Sequence, residues 1–302
     1  MGTSGSYGGA GNGSPLIPGF LNDPAPGSAP VLPGPARPAA PSAPNGPNGP
    51  PGAPVAPPPS PPQPRPVPGQ APMPNRFAAP RTNFSRFARS GGTDRAALGR
   101  AVSGYVSTAA GGARQAARRM GSSRQAGARL YSFLADAQAR GPVEALRALN
   151  LEALAGRPIQ DIFLGIAEYV CPIGGTVDEG IARDAFVDTI ADLADQGISD
   201  FDSLTTDQMQ TVFEMFAAHA IEARICNDIG KNSIKLPSDV AAVERVQAQL
   251  YDFVGRAVSD ALSAARAVTG TLTQQQALQH VDAVYEAAFD MLQTLGEAEG
   301  ET

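Results

Sequence analysis

A chain of 302 residues with a net charge of −6, two cysteines and no tryptophan is long enough for one large domain or two small ones, and its isolated thiols read as small buried hydrophobes rather than a disulfide framework. No apolar run approaches the ~20 residues of a membrane-spanning helix, and no charged-then-apolar secretory signal opens the chain, so a cytoplasmic location is expected. The charge is segregated: residues 81–140 carry about +9 and residues 141–302 about −17, with Lys231 and Lys235 the only lysines.

Residues 1–14, MGTSGSYGGAGNGS, are nearly all glycine and serine and can bury nothing to offset the entropy of ordering. A small apolar cluster comes next at Leu16, Ile17, Phe20 and Leu21 and reads either as a short docking motif or as a chance cluster. From Pro24 to Pro74 the chain is rich in Pro, Ala and Gly, a composition that favours extended polyproline II and makes residues 1–80 a disordered tail and spacer. Over residues 76–92 Phe77, Phe84 and Phe87 alternate with Arg76, Arg81, Arg86 and Arg89, and 81–92 reads as a strap, with these phenylalanines docking onto the helical domain. The same alternation would also suit stacking on nucleic-acid bases.

Residues 93–296 read as an all-α, multi-helix bundle-like domain, rich in helix formers and almost free of strand-like alternation. Thr93 is expected to cap a helix over 94–109, with Leu98, Val102 and Tyr105 inward. A second helical stretch over 113–139 carries a candidate interruption at Gly121-Ser122-Ser123. Pro142 opens a short helix, and Pro158 opens another over 159–171. Thr176-Val177-Asp178-Glu179 matches a capping box before a helix over 177–196. Met209, Val212, Phe213, Phe216 and Ile221 recur at helical spacing up to Gly230. Long helices over 239–268 and 274–296 complete the domain, with a possible subdivision at 231–237 and a frayed end over 297–302.

Few side chains offer chemistry. His219 and His280 lie beside apolar helical faces and read as ordinary core-edge residues. Neither a CxxC nor an HxxxH spacing joins His219, Cys171 and Cys226 into a metal site, and no GxxxxGK[ST] loop is present. No metal, no resident cofactor and no enzymatic activity are therefore expected. Asp184, Asp188, Asp192 and Asp195 form an acidic helical stripe, normally a solvated face. Arg114, Arg118, Arg119 and Arg124 surround the Gly-Ser-Ser helix start, where guanidinium groups and amides could hold a phosphate or an acidic partner, the chain's own acidic half included. Nucleic-acid binding through 81–129 is the alternative function class. Loss of Met1 would expose the amine of Gly2, unhindered and with an ordinary pKa of ~8. MGTSGS also fits a myristoylation pattern, which the Arg-over-Lys usage disfavours.

Six stretches taken in order, MGTSGSYGG, RTNFSRFARSGG, MGSSRQAGARLYSFL, ALRALNLEALAGRP, VCPIGGTVDEGIARDAF and HAIEARICNDIG, resemble the QatB family of four-gene Qat anti-phage defence systems. The resemblance covers the leader and most of residues 81–230. It implies partners: a QatA ATPase, a QatC enzyme related to the QueC enzyme of deazapurine synthesis, and a TatD-like QatD nuclease. It implies a non-catalytic scaffold in the defence system. QueC-like activation of a deazaguanine carboxylate further implies Gly2 as an amine acceptor that would carry a covalent 7-deazaguanine.

Overall fold

The computed structural model describes residues 75–230, 238–265 and 273–301, and among these residues the architecture is helical throughout, with no strand beyond an isolated bridge between Pro158 and Asp200. The expectations for the tail and for the 231–237 connection fall outside the described residues. The helices are α1 (Ala78–Arg89), α2 (Arg95–Gly104), α3 (Ala113–Arg118), α4 (Gly121–Arg140), α5 (Pro142–Ala148), α6 (Ile159–Val170), α7 (Val177–Asp195), α8 (Thr206–Gly230), α9 (Val240–Ala264) and α10 (Gln274–Gly300). A π-helical turn over Tyr105–Ala110 prolongs α2, and a 3-10 turn covers Glu152–Leu154.

Residues expected to form a strap instead form α1. Pro80, Phe84, Phe87 and Ala88 recur at helical spacing and are buried, while Arg86 and Arg89 point to solvent. That one-sided pattern suits an amphipathic helix better than an extended strand. The cap of α2 is Asp94 rather than Thr93: the Asp94 carboxylate accepts the Ala97 amide at 2.9 Å, while the Thr93 hydroxyl donates back to the Ser90 carbonyl. The break in 113–139 falls at Arg119-Met120, and Gly121-Ser122-Ser123 is the first turn of α4. The Thr176–Glu179 capping box forms, and a second one joins Thr273 to Gln276 at the start of α10. Asp239 caps α9 through the Ala241 amide.

Two helices organise the packing. α10 touches α2, α3, α4 and α9; α8 touches α7, α9, α4 and α1. Buried side chains from α1 through α10 form one core, so α8 and α9 flank residues 231–237 without dividing the domain. Phenylalanines stitch one side of it: Phe133 stacks on Phe201 at 5.4 Å, Phe163 stacks on Phe186 at 5.7 Å, and Phe186 meets Phe216 edge-on at 6.4 Å. Such pairs contribute about 0.5–1.5 kcal/mol each beyond area burial.

The closest helix approach is between α2 and α10. A Cβ on Gly99 would lie 2.7 Å from the Gly296 carbonyl oxygen, and one on Gly296 would lie 2.6 Å from that of Gly99. Neither oxygen can retreat without moving its helix. Beyond this contact α10 continues past its expected end at 296 to Gly300, whose carbonyl accepts from Arg100 at 2.7 Å. Gly296→Ala should therefore lower unfolding stability by about 3 kcal/mol. Gly180→Ala, in open space within α7, should raise it by about 0.5–1 kcal/mol, both read from urea denaturation.

Candidate functional site

The arginines of the basic stretch are largely committed within the fold. Arg81 donates to the carbonyls of Asp228 and Ile229 at 3.1 and 3.2 Å, satisfying the C-terminal end of α8. Arg86 pairs with Asp94, Arg114 with Glu286 and Arg124 with Asp282. Arg119 and Arg129 donate to the carbonyls of Ala109 and Val170. Arg118, Arg76, Arg89 and Arg95 are exposed. Among the three phenylalanines, Phe84 and Phe87 are buried between α1 and its neighbours, and half-buried Phe77 lies 6.5 Å from the ring of Tyr105.

The helix start proposed for phosphate is occupied from inside. Asp178, in the first turn of α7, accepts the Ser122 amide of α4 at 2.6 Å and faces Arg224 of α8 at 3.5 Å. Arg224 also donates to Asp228, which accepts the Tyr105 hydroxyl at 3.0 Å. A carboxylate of the chain thus supplies the negative charge that the amides at the start of α4 attract. Burial, reinforced by Asp228, raises the Tyr105 hydroxyl well above its usual range and keeps it a neutral donor.

A cluster of perturbed groups lies where α7, α8 and α9 meet. Asp192 Oδ2 is 2.8 Å from His219 Nε2 and accepts the Tyr251 hydroxyl at 3.2 Å; the His219 and Tyr251 rings stack at 4.5 Å. One turn away on α8, Glu222 is mostly buried, and desolvation with the charges of Asp188 and Asp192 pushes its carboxyl up to about 8. Burial also raises Asp188 and Asp184. Of the stripe read as a solvated face, Asp188 and Asp195 are exposed and Asp184 and Asp192 half-buried, with α8 and α9 meeting it at Asp192. Beside this junction a shallow cavity of about 450 Å³ is walled by Arg95, Glu214, Tyr251, Asp252 and Arg256.

The remaining candidates stand apart. Cys171 is buried at the end of α6, its thiol against the Ala182 carbonyl and pushed up to about 12 by burial. Cys226 is raised by burial and by Glu222. The His280 ring lies tilted against that of Tyr131 at 4.7 Å, and burial lowers its pKa, favouring the neutral imidazole. Among the described residues no three His, Cys, Asp or Glu side chains are arranged to hold a metal ion, and no helix is long and apolar enough to cross a membrane. Gly2 lies outside the described residues.

Family comparison addresses the stretch from the end of the π-helical turn into the last helix: residues 111–292 match the family described as Qat anti-phage system associated protein QatB. The chain belongs to the QatB family. It is thus a component of the Qat anti-phage defence system, whose other components are its partners. No curated protein and no solved structure matches it. The matched region contains Asp178, Arg224, Asp228 and the α7–α8–α9 junction of this QatB-family chain, whereas α1, α2 and the π-helical turn with Tyr105 precede it.

Sequence patterning could have found the Thr273–Gln276 box and the amphipathic α1. The Asp192–His219–Tyr251 contact had no local signal, since its members come from three helices. Asp178→Ala should cost about 3 kcal/mol, because it leaves the buried end of α4 without the acceptor of the Ser122 amide and leaves Arg224 with Asp228 alone. Glu286→Ala, removing one half of an exposed pair with Arg114, should change stability by no more than ~0.5 kcal/mol; chemical denaturation of both variants checks the contrast.

Proposed function

We propose that the helical body is a scaffold that docks the other Qat components, and that the leader presents Gly2 as the substrate for conjugation to a 7-deazaguanine by the QueC-like partner, QatC. The supporting observation is where the chain enters the folded body. Asn75 and Arg76, just before α1, are exposed, so the first described residues of the body lie at its surface. A Pro-rich sequence extends by up to ~3 Å per residue, enough to carry a distant acceptor into a partner's active site while the body stays docked.

The chemistry asks little of this chain. After methionine removal the neutral Gly2 amine attacks the carboxylate carbon that the partner has activated with ATP. The amide bond forms, the nucleotide leaves with the oxygen, and the attacking nitrogen releases its extra proton to solvent or to a base of the partner. An amine with a pKa of ~8 has a useful neutral fraction near pH 7, and glycine has no side chain to obstruct the approach. The QatA ATPase and the TatD-like QatD nuclease are the further partners in this reading.

The internal commitment of Arg81, Arg114, Arg119, Arg124 and Arg129 favours this scaffold over a nucleic-acid sensor. Intact-mass analysis of the chain co-expressed with the QueC-like partner should reveal an added deazaguanine acyl group, and fragmentation should map it to the Gly2 amine. A mass differing only by methionine loss would overturn the conjugation, and an adduct on another residue would overturn Gly2 as acceptor.

A further inference from the structure

Seven large apolar side chains are exposed among the described residues, and five of them, Leu164, Tyr169, Ile173, Val177 and Val187, lie on α6, on α7 or on the turn between them. Ile173 is 77% exposed, Leu164 60% and Val187 53%. The two helices run antiparallel: Phe163 stacks on Phe186, Glu168 pairs with Arg183 at 2.9 Å and the Cys171 thiol meets the Ala182 carbonyl, so contacts climb one helix as they descend the other. That register sets Leu164, one turn before Glu168, opposite Val187, one turn after Arg183. The Arg183–Glu168 pair is itself open to solvent, so it runs along the outer side of the hairpin, with Leu164 and Val187 beside it. Ile173 and Val177 make a second apolar point at the turn, about 15 Å from Val187 along the axis of α7.

α7 is apolar on two sides. Its inner side, with Ile181, Ala185, Phe186 and Leu193, fills the core. Its outer side still carries exposed Val177, Val187, Ala191 and Ala194 among the carboxylates. A helix apolar all round is normally covered all round. Here a Cβ added at Gly180, one turn after Val177, would meet nothing of the rest of the described chain within 4 Å.

Charge on the same surface selects what can cover it. Residues 159–195 carry eight carboxylates against Arg183 alone, and Glu168, Asp188 and Asp195 are exposed. Such a surface repels the phosphates of nucleic acid and of lipid headgroups. A second copy meeting it across a twofold axis would set like charge on like. Large apolar side chains flanked by Lys or Arg match both its parts.

We propose that the outer face of the α6–α7 hairpin docks a basic amphipathic helix of another Qat component, seated on Leu164 and Val187 at one end and on Ile173 and Val177 at the other. A helix of about three turns spans the two points, and its cations lie toward Asp184 and Asp188. This inference rests on the scaffold reading above and gives that scaffold a docking face.

Titration of the full chain with each other Qat component, purified separately, tests it by calorimetry. One component should bind, and Leu164→Asp and Ile173→Asp should each weaken binding by roughly tenfold or more. Raising NaCl from about 50 to about 300 mM should weaken it by about threefold or more. Val240→Asp, at an apolar residue of α9 that is 64% exposed, should leave binding unchanged. All three replaced side chains are exposed, so the thermal unfolding midpoint should stay in place in each variant. Hydrogen exchange of the wild-type complex should show added protection over residues 159–187, a readout that needs no variant. Unchanged binding in L164D and I173D, equal weakening in V240D, or no added protection over the hairpin would overturn the docking face and leave the scaffold standing. Binding indifferent to salt would overturn the basic occupant, and a dimer of the free chain that is lost in L164D would give the face to a second copy. Failure of every component to bind would overturn the scaffold reading and this face with it.

Discussion

The carboxylate of Asp178 joins three helices of this fold, α7, α4 and α8. It sits on the first turn of α7, accepts an amide at the start of α4 and faces Arg224 of α8. Through Asp228 the same chain of contacts reaches Tyr105 in the π-helical turn. Helix starts attract negative charge, and an interior guanidinium requires it. One side chain meets both needs and thereby sets how three helices meet. The capping box directly before it holds α7 in the register that delivers Asp178 to this place.

The same principle runs through the segregated charges of the chain. The arginine-rich first part of the body and its acidic remainder neutralise one another across the fold, at Arg114–Glu286 and Arg124–Asp282. Most such pairs are partly exposed and contribute little stability individually. Their effect is on recognition, since a guanidinium engaged with its own chain is less available to a phosphate. The α7–α8–α9 junction differs, with the carboxylates of Asp188, Asp192 and Glu222 gathered near the His219 imidazole. Chemistry responsive to conditions therefore concentrates there, whereas the proposed acceptor Gly2 belongs to the leader. Scaffold and substrate are separate tasks in this reading.

Much of the fold was legible beforehand. Met209, Val212, Phe213 and Phe216 marked α8 by spacing alone, and Thr176-Val177-Asp178-Glu179 marked the start of α7, because apolar periodicity and caps are local properties. α1 was missed as a helix because the neighbouring Pro-rich composition and the alternating Arg and Phe suggested an extended strap. The end of α10 was missed because glycines near a terminus normally favour fraying. Here the absence of a Cβ at Gly296 instead lets α2 approach and keeps the helix intact.

Sequence by itself determined the helical class, most helix positions, the contrast between a Pro-rich leader and a foldable body, and the likeness to QatB, since each depends on residues close together or on ordered local motifs. Tertiary structure alone decided which arginines are engaged, that Asp178 fills the start of α4, and that Asp192, His219, Glu222 and Tyr251 share one junction. Those outcomes depend on distances between residues far apart in the chain and on how completely packing excludes water. No local pattern encodes either.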